Sequence, residues 1–225
     1  MSVSFDRVAP YYDLLARGVF GQSIRRAQLH FLDQIPPNAR VLVVGGGTGW
    51  LLVELLRKPE VAHVTYREAS ARMLAIAQRK VRKYSQSEKE SLPRVRFVHG
   101  TERQLASEGR FPEERFSVII TNFVLDMYEG EALDDLIQTL AARLEPNGRW
   151  LFTDFRLSSQ KRHRGWQRWM AQAMYGFFHL TAGITRQSLP PYHQHFARHN
   201  FRMTHERSFY GDFIVSRVYR KDSGT

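Results

Sequence analysis

The chain has 225 residues, 43% hydrophobic and 24% charged; that suits one generous globular domain and excludes a disordered or low-complexity polypeptide. It contains no cysteine, which excludes a disulfide framework, a thiolate nucleophile and thiolate-ligated zinc or iron–sulfur chemistry. The net charge of +11 is concentrated in residues 156–225, with 12 basic and 3 acidic side chains. A basic face of this kind admits an anionic partner, whether nucleic acid, acidic lipid or an acidic small molecule, and equally serves as a solvated surface.

The first stretch, residues 4–34, reads as helical, with apolar positions at Val8, Tyr12, Leu15 and Val19 and then Leu29, Phe31 and Leu32. Pro36-Pro37-Asn38 stops it. Val41-Leu42-Val43-Val44 is wholly apolar and runs into Gly45-Gly46-Gly47-Thr48-Gly49, the pattern of a strand buried on both faces followed by a tight turn. A helix is expected from Trp50 to Arg57. Val61 to Tyr66 is a second strand, followed by a helix from Ser70 to Lys83 with Ser70 as its N-cap. Val95 to Val98 and Phe116 to Thr121 are the third and fourth strands. Ala132 to Leu144 reads as a helix ended by Pro146-Asn147-Gly148, and Trp150 to Thr153 is a fifth strand. Strands alternating with helices indicate an open parallel α/β sheet.

The last third differs. A helix over 161–180 would align Trp166, Trp169, Met170, Ala173 and Phe177. A short helix follows over 192–199. Phe201 to Phe209 and Phe213 to Arg220 then read as two strands joined by Tyr210-Gly211-Asp212, a hairpin added to the parallel sheet. The expected architecture is one domain over 1–225, with N-terminal helices in 1–35 and a helical insertion over 156–198. No apolar run reaches the roughly 20 residues that cross a bilayer. The opening Met1-Ser2-Val3-Ser4-Phe5-Asp6-Arg7 carries early charge and no apolar core, so a cytoplasmic protein is expected.

The glycine turn limits the ligand. In G-x-G-x-x-G the third glycine would fall on position 50, which is Trp50, too large for close helix–strand packing. A phosphate-binding loop would need Gly-Lys-Ser/Thr, which is absent. What remains is G-x-G-x-G at Gly45, Gly47 and Gly49. Glu68 lies 19 residues beyond Gly49 at the end of the second strand, where a carboxylate can accept both hydroxyls of a ribose.

With these residues in place the chain resembles the class I S-adenosylmethionine-dependent methyltransferases over about residues 5–155. The first motif of that family corresponds to Val41 through Gly49, the second to Tyr66-Arg67-Glu68-Ala69-Ser70 with Met73-Leu74. The fourth-strand motif corresponds to Phe116 through Leu125 and the fifth to Leu144 through Leu151. The opening Phe5 through Asp13 is similar to the subgroup containing the quinone-biosynthesis methyltransferases. The resemblance implies a Rossmann-like fold, a mostly parallel seven-stranded sheet with helices on both faces and a C-terminal antiparallel hairpin. It implies S-adenosylmethionine as cofactor: Gly45, Gly46, Gly47, Thr48 and Gly49 approaching its methionine part, Glu68 on the ribose, and Ala69 and Met73 flanking the adenine. Asn122 and Phe123 would line the methionine side, and Tyr12 would close over the carboxylate or pack its helix. Two positions depart from the family. Val43 stands where many relatives have an acidic residue, and Thr101, followed by Glu102, stands where many have Asp.

Methyl transfer from a sulfonium is an in-line displacement that needs no metal, and a base only where the acceptor must lose a proton. The candidate bases are Asp126, His179, His193, His195 and His199, none singled out by sequence. His193-x-His195 is conceivable as a metal pair, but no carboxylate stands near it in the sequence. Trp166, Trp169, Met170, Phe177 and Phe178 could line an apolar acceptor pocket or belong to the core. With Arg162, Arg164 and Arg168 they could instead rest on a membrane surface. The leading reading is a small-molecule methyltransferase. The alternatives are an RNA-modifying methyltransferase, for which the chain shows no separate RNA-binding domain, and an inactive cofactor-binding regulator.

Overall fold

A computed structural model describes residues 18–87, 92–101, 104, 114–158, 165–172 and 189–221. The sequence-derived positions Tyr12, Glu102, Arg162, Arg164, Phe177, Phe178 and His179 lie outside the described residues.

The chain order begins with helical residues 18–20, α1 (Ser23–Leu29) and a 3-10 turn at Leu32–Gln34, so the described part of the expected N-terminal helix is broken into three pieces. There follow β1 (Ala39–Val44), α2 (Trp50–Leu56), β2 (Val61–Glu68), α3 (Ala71–Ser87), β3 (Arg94–His99) and β4 (Phe116–Asn122). After a 3-10 turn at Leu125–Met127 come α4 (Gly130–Ala141) and β5 (Leu144–Phe155), then a helical stretch, α5, over 165–172. The chain ends with α6 (Tyr192–Arg198), β6 (Phe201–Phe209) and β7 (Ile214–Lys221). The seven strands form one sheet in the order β3-β2-β1-β4-β5-β7-β6. The first five are mutually parallel, and β7 runs antiparallel to both β5 and β6. This is the seven-stranded sheet with a terminal hairpin that the sequence predicts.

The apolar run of β1 is explained by its two faces. Leu42 and Val44 pack with Ile119, Trp150, Phe152 and Tyr219 under α4 and α6. Val41 and Val43 pack on the other face with Val118, Ile120 and Leu151 under α2 and α3. α3 begins as predicted, with the Ser70 hydroxyl accepting the N–H of Met73 at 3.1 Å. α4 ends three residues earlier than expected, and Leu144 already pairs with Phe116. Because Val118 then pairs with Arg149, the segment Glu145–Gly148 bulges from the strand, with Asn147 at φ 63°. The turn residues therefore mark an irregularity inside β5 and not the helix end.

α6 has seven residues and depends on tertiary contacts for its stability. Phe196 is its anchor, stacked on Tyr219 with ring centroids 3.9 Å apart and meeting the Trp150 ring edge-on at 4.9 Å. Asp134 of α4 supplies the polar clasp: its carboxylate lies 2.8 Å from His195 Nδ1, 3.0 Å from Arg198 and 3.4 Å from His199 Nε2. The carboxylate missing from the sequence around these histidines thus comes from a helix 61 residues away. Its role here is to join two helices. Among the described residues, no group of three or more His, Asp or Glu side chains is arranged to hold a metal ion. Nor, among them, is any helix long and apolar enough to cross a membrane.

In α5 the stripe faces inward only in part: Trp166 meets the rings of Tyr210 and Phe213, with centroids 5.6 and 5.7 Å away. Gln167 is fully buried, its Oε1 accepting the N–H of Ser158 at 2.7 Å and its Nε2 donating to the Gly211 carbonyl at 2.6 Å. Those two backbone bonds fix the helix rotation. Met170 packs partly against the small cluster around Phe155 and Phe213, while Trp169 is left 67% exposed.

Two expectations follow. Phe196→Ala should cost about 3–5 kcal/mol in a urea unfolding curve, since it empties a three-ring contact. At Asp134, burial opposes ionisation, but the hydrogen bonds and charges of His195 and Arg198 outweigh it and hold the carboxyl below its ordinary value. An acid with a lowered folded pKa stabilises above its unfolded pKa, and that stabilisation disappears as pH falls through the folded one. Asp134→Asn should therefore cost about 1 kcal/mol at neutral pH, with the difference from wild type vanishing well below about pH 4 in pH-dependent unfolding midpoints.

Candidate functional site

The strand order decides the site. β3, β2, β1 and β4 are neighbours, so the residues at their carboxyl ends lie side by side along one edge of the sheet. Gly45 through Gly49 follow β1, Glu68 ends β2 and Ala69 follows it, Thr101 lies just beyond β3, and Asn122 ends β4 with Phe123 next. All were singled out from sequence, and the fold brings them together.

The turn after β1 is clamped by β2. The N–H of Gly47 donates to Glu68 Oε2 at 2.8 Å, and the Gly47 carbonyl accepts the Tyr66 hydroxyl at 3.0 Å. Both peptide groups of Gly47 are thereby fixed by residues two apart on the neighbouring strand. Glu68 is buried, and its Oε1 accepts the N–H of Ser70 at 2.8 Å. The glycines differ in what surrounds them. A Cβ on Gly46 would lie 2.2 Å from the Tyr66 ring, one on Gly45 2.3 Å from Val124, and one on Gly49 2.6 Å from Ala77. A Cβ on Gly47, at φ 66°, would meet nothing within 4 Å. Of these four glycines, Gly47 has open space at its Cβ position and the other three do not.

The remaining candidate positions lie on the neighbouring segments. Met73 is buried at the start of α3. The Ala69 carbonyl lies 3.0 Å from His99 Nε2. Thr48 is buried, with its hydroxyl accepting from Lys80 at 3.1 Å. Thr101, at the position where Asp is common, is held by its backbone: its carbonyl accepts Arg67 Nε at 2.7 Å and its N–H donates to Gln104 Oε1 at 2.8 Å. Phe123 has φ 57°, an uncommon conformation for a bulky residue and one that clusters at functional sites. Its N–H donates to the Thr153 carbonyl at 2.8 Å and its ring lies 4.7 Å from that of Phe155.

Asp126, the candidate base, is 7% exposed and not a solvated helix-start carboxylate. Its backbone N–H donates to Asp154 Oδ2 at 3.2 Å. Asp154, Tyr66 and Arg67 were missed by sequence reasoning. The available signals were an acid within the apolar run Phe152-Thr153-Asp154-Phe155, and an aromatic and a cation within β2. His193 is exposed on α6, while His195 and His199 are committed to Asp134 and are not candidate bases.

Residues 16–206 match the family described as methyltransferase domain. A malonyl-[acyl-carrier protein] O-methyltransferase of Halalkalibacterium halodurans is 28% identical over 160 residues, 67% of this chain and 53% of that one. The chain thus spans about half the length of this curated relative. Among solved structures, the fold is shared with the Burkholderia thailandensis 1,6-didemethyltoxoflavin-N1-methyltransferase, bound to 1,6-didemethyltoxoflavin and S-adenosylhomocysteine. That pair aligns at a TM-score of 0.64 and 19% identity over 97% of this chain and 86% of that one. The magnesium protoporphyrin IX methyltransferase of Synechocystis PCC 6803, with bound S-adenosylhomocysteine, aligns at 0.61 and 16% identity over 89% of this chain and 83% of that one. With a match that runs over most of its length, the chain belongs to the methyltransferase-domain family.

Proposed function

We propose that this protein is an S-adenosylmethionine-dependent methyltransferase that acts on a small-molecule acceptor by in-line displacement. The observation that carries the reading is the cradle at Gly47. Its peptide is clamped by Glu68 and Tyr66, it sits at positive φ, and the space where a Cβ would stand is open. A ligand with a ribose next to a polar chain fits that arrangement, because the Glu68 carboxylate stands directly beside the opening at Gly47.

The cofactor would supply a methyl group activated by a sulfonium. Glu68 would hold the ribose hydroxyls, with Ala69 and Met73 flanking the adenine and Thr101 at its edge. Asn122 and Phe123 would wall the methionine end, and Gly45 to Gly49 would bring backbone close to it. Val43 faces the apolar layer with Tyr66 and offers no carboxylate to an ammonium. Binding through Glu68 and backbone groups therefore carries more of the recognition than in relatives with an acid at that position. The small-molecule acceptor draws support from the toxoflavin and protoporphyrin enzymes, and a single cytoplasmic domain with residues 156–198 beside the acceptor end accords with the sequence.

A thermal-shift titration tests this with S-adenosylmethionine and S-adenosylhomocysteine, and NAD as control. At about 100 times the dissociation constant, binding should contribute about 2.7 kcal/mol and raise the midpoint by roughly 5–10 °C, with no effect of NAD. Glu68→Gln should weaken binding about 10–100-fold, because it replaces an acceptor by a donor at the ribose. Gly47→Ala should abolish binding with a stability cost of about 1–3 kcal/mol for its positive φ. Gly46→Ala should act chiefly on stability, by forcing Tyr66 out of place. Binding of both sulfur compounds without methyl incorporation into any metabolite pool would favour an inactive regulator.

A further inference from the structure

The amino ends of the strands, at the edge opposite the glycine turn, hold a second cleft. Its volume is about 470 Å³, and Arg40 of β1, His63 and Thr65 of β2, Arg94 and Arg96 of β3, and Glu114 are among the residues that line it. The pairing register explains why the cations cluster. Arg40 pairs with His63, and His63 pairs with Arg94. Partners on adjacent strands point to the same face, so these three side chains form one row. Thr65 pairs with Arg96 two residues further along, on that same face. Adjacent strands lie about 4.8 Å apart, which sets Arg40 and Arg94 about 10 Å apart with His63 between them. Like charges placed side by side in a sheet oppose each other. The counter-charges here are few. Arg96 pairs with Glu114 at 3.1 Å. Arg40 donates to the Arg115 carbonyl and lies 3.9 Å from Glu145, near the outer limit of an ion pair. Arg94 and His63 are exposed, and among the described residues neither side chain has a hydrogen-bond or ion-pair partner.

We propose that this cleft binds an oligophosphate, a chain of two or more linked phosphate groups, free or carried by a nucleotide. The row favours a chain over a single anion, because one phosphate or carboxylate meets one guanidinium while linked phosphates run along all three positions. Arginine suits this ligand, since its planar fork donates two parallel hydrogen bonds to a phosphate. Arg40 and Arg94 take the two ends of the chain, His63 faces its middle, and the Thr65 hydroxyl adds a donor. Arg96 contributes a further positive charge that Glu114 offsets. The bound anion relieves the repulsion within the row. The site is separate from the cradle at Gly47. Glu68 lies five residues beyond His63 on β2, about 17 Å along a strand that rises about 3.3 Å per residue. The inference therefore stands apart from the cofactor reading.

Calorimetric titration of the full chain at low salt tests this, with inorganic triphosphate, ATP and inorganic phosphate as probes. Triphosphate should bind at least about tenfold tighter than phosphate, because it reaches more than one guanidinium. Arg94→Ala should weaken triphosphate binding about tenfold, and Arg94→Ala combined with His63→Ala further still. Both side chains are exposed, so these variants leave the core intact. Arg94→Lys keeps the charge without the fork and should recover only part of the loss. Arg207→Ala removes an exposed arginine of β6, outside the cleft, and should leave binding unchanged. ATP binding equal to triphosphate identifies the bare phosphate chain as the ligand, and tighter binding of ATP identifies a nucleotide. Triphosphate binding no tighter than phosphate overturns the site. Equal losses in Arg94→Ala and Arg207→Ala overturn it too, since they mean a diffuse basic surface. Displacement of triphosphate by saturating S-adenosylhomocysteine places the anion in the cradle and also overturns it. A protein that binds triphosphate with these variant effects but binds no S-adenosylhomocysteine fails the cofactor reading alone.

Discussion

The clamp on Gly47 is the constraint on which the site depends. A peptide group at the tip of a glycine turn has no regular secondary structure to satisfy it, and its orientation is free unless something fixes both ends. Here the N–H goes to Glu68 and the carbonyl to Tyr66, two residues of one strand whose parallel pairing with β1 sets their height. Glu68 is pinned in turn by the N–H of Ser70 at the start of α3. One buried carboxylate thus connects the ends of β1 and β2, and the open face of Gly47 is held where a ligand can approach its backbone.

The departures from the family pattern are linked by the same packing. Val43 pairs with Tyr66 across β1 and β2, and both lie in the apolar layer beneath α2 and α3. An ionised side chain at Val43 would be buried there at a large desolvation cost. Tyr66 occupies the space that Gly46 leaves free and spends its hydroxyl on the turn. Thr101 lacks a carboxylate, but Arg67, nearly fully buried, grips the backbone of that loop. In both places backbone is fixed by long side chains from β2, so this strand holds both turns as well as supplying the acid.

The acidic pair on the other side of the glycine turn has a comparable mechanical role. Buried polar groups are costly unless satisfied, and here the N–H groups of Phe155 and Asp126 offset part of the loss of water around Asp154. The turn after β4 is tied to β5 by the bond from Asp126, and through Val124 it meets the turn after β1. The glycine turn is therefore flanked by segments held through buried carboxyl groups, Glu68 on the β2 side and Asp154 on the β5 side.

The sequence by itself determined the element types, the single parallel sheet, the hairpin at its edge and the positions of the glycine turn and Glu68. These rest on local signals: apolar runs of strand length, helical periodicity, Ser70 as a cap, and glycine spacing. The end of α4 was misread because Pro146-Asn147-Gly148 has the composition of a turn, while the pairing of Phe116 with Leu144 draws those residues into a bulge. The inward placing of Gln167 was not legible, because apolar periodicity pointed to Trp166 and Trp169, whereas two backbone bonds hold Gln167 inside. Only tertiary structure joined Asp134 to His195, Tyr66 to Gly47 and Asp126 to Asp154. Each pair is separated by 19 to 61 residues in the chain. Their meeting depends on strand order and register, which periodicity along one segment does not encode.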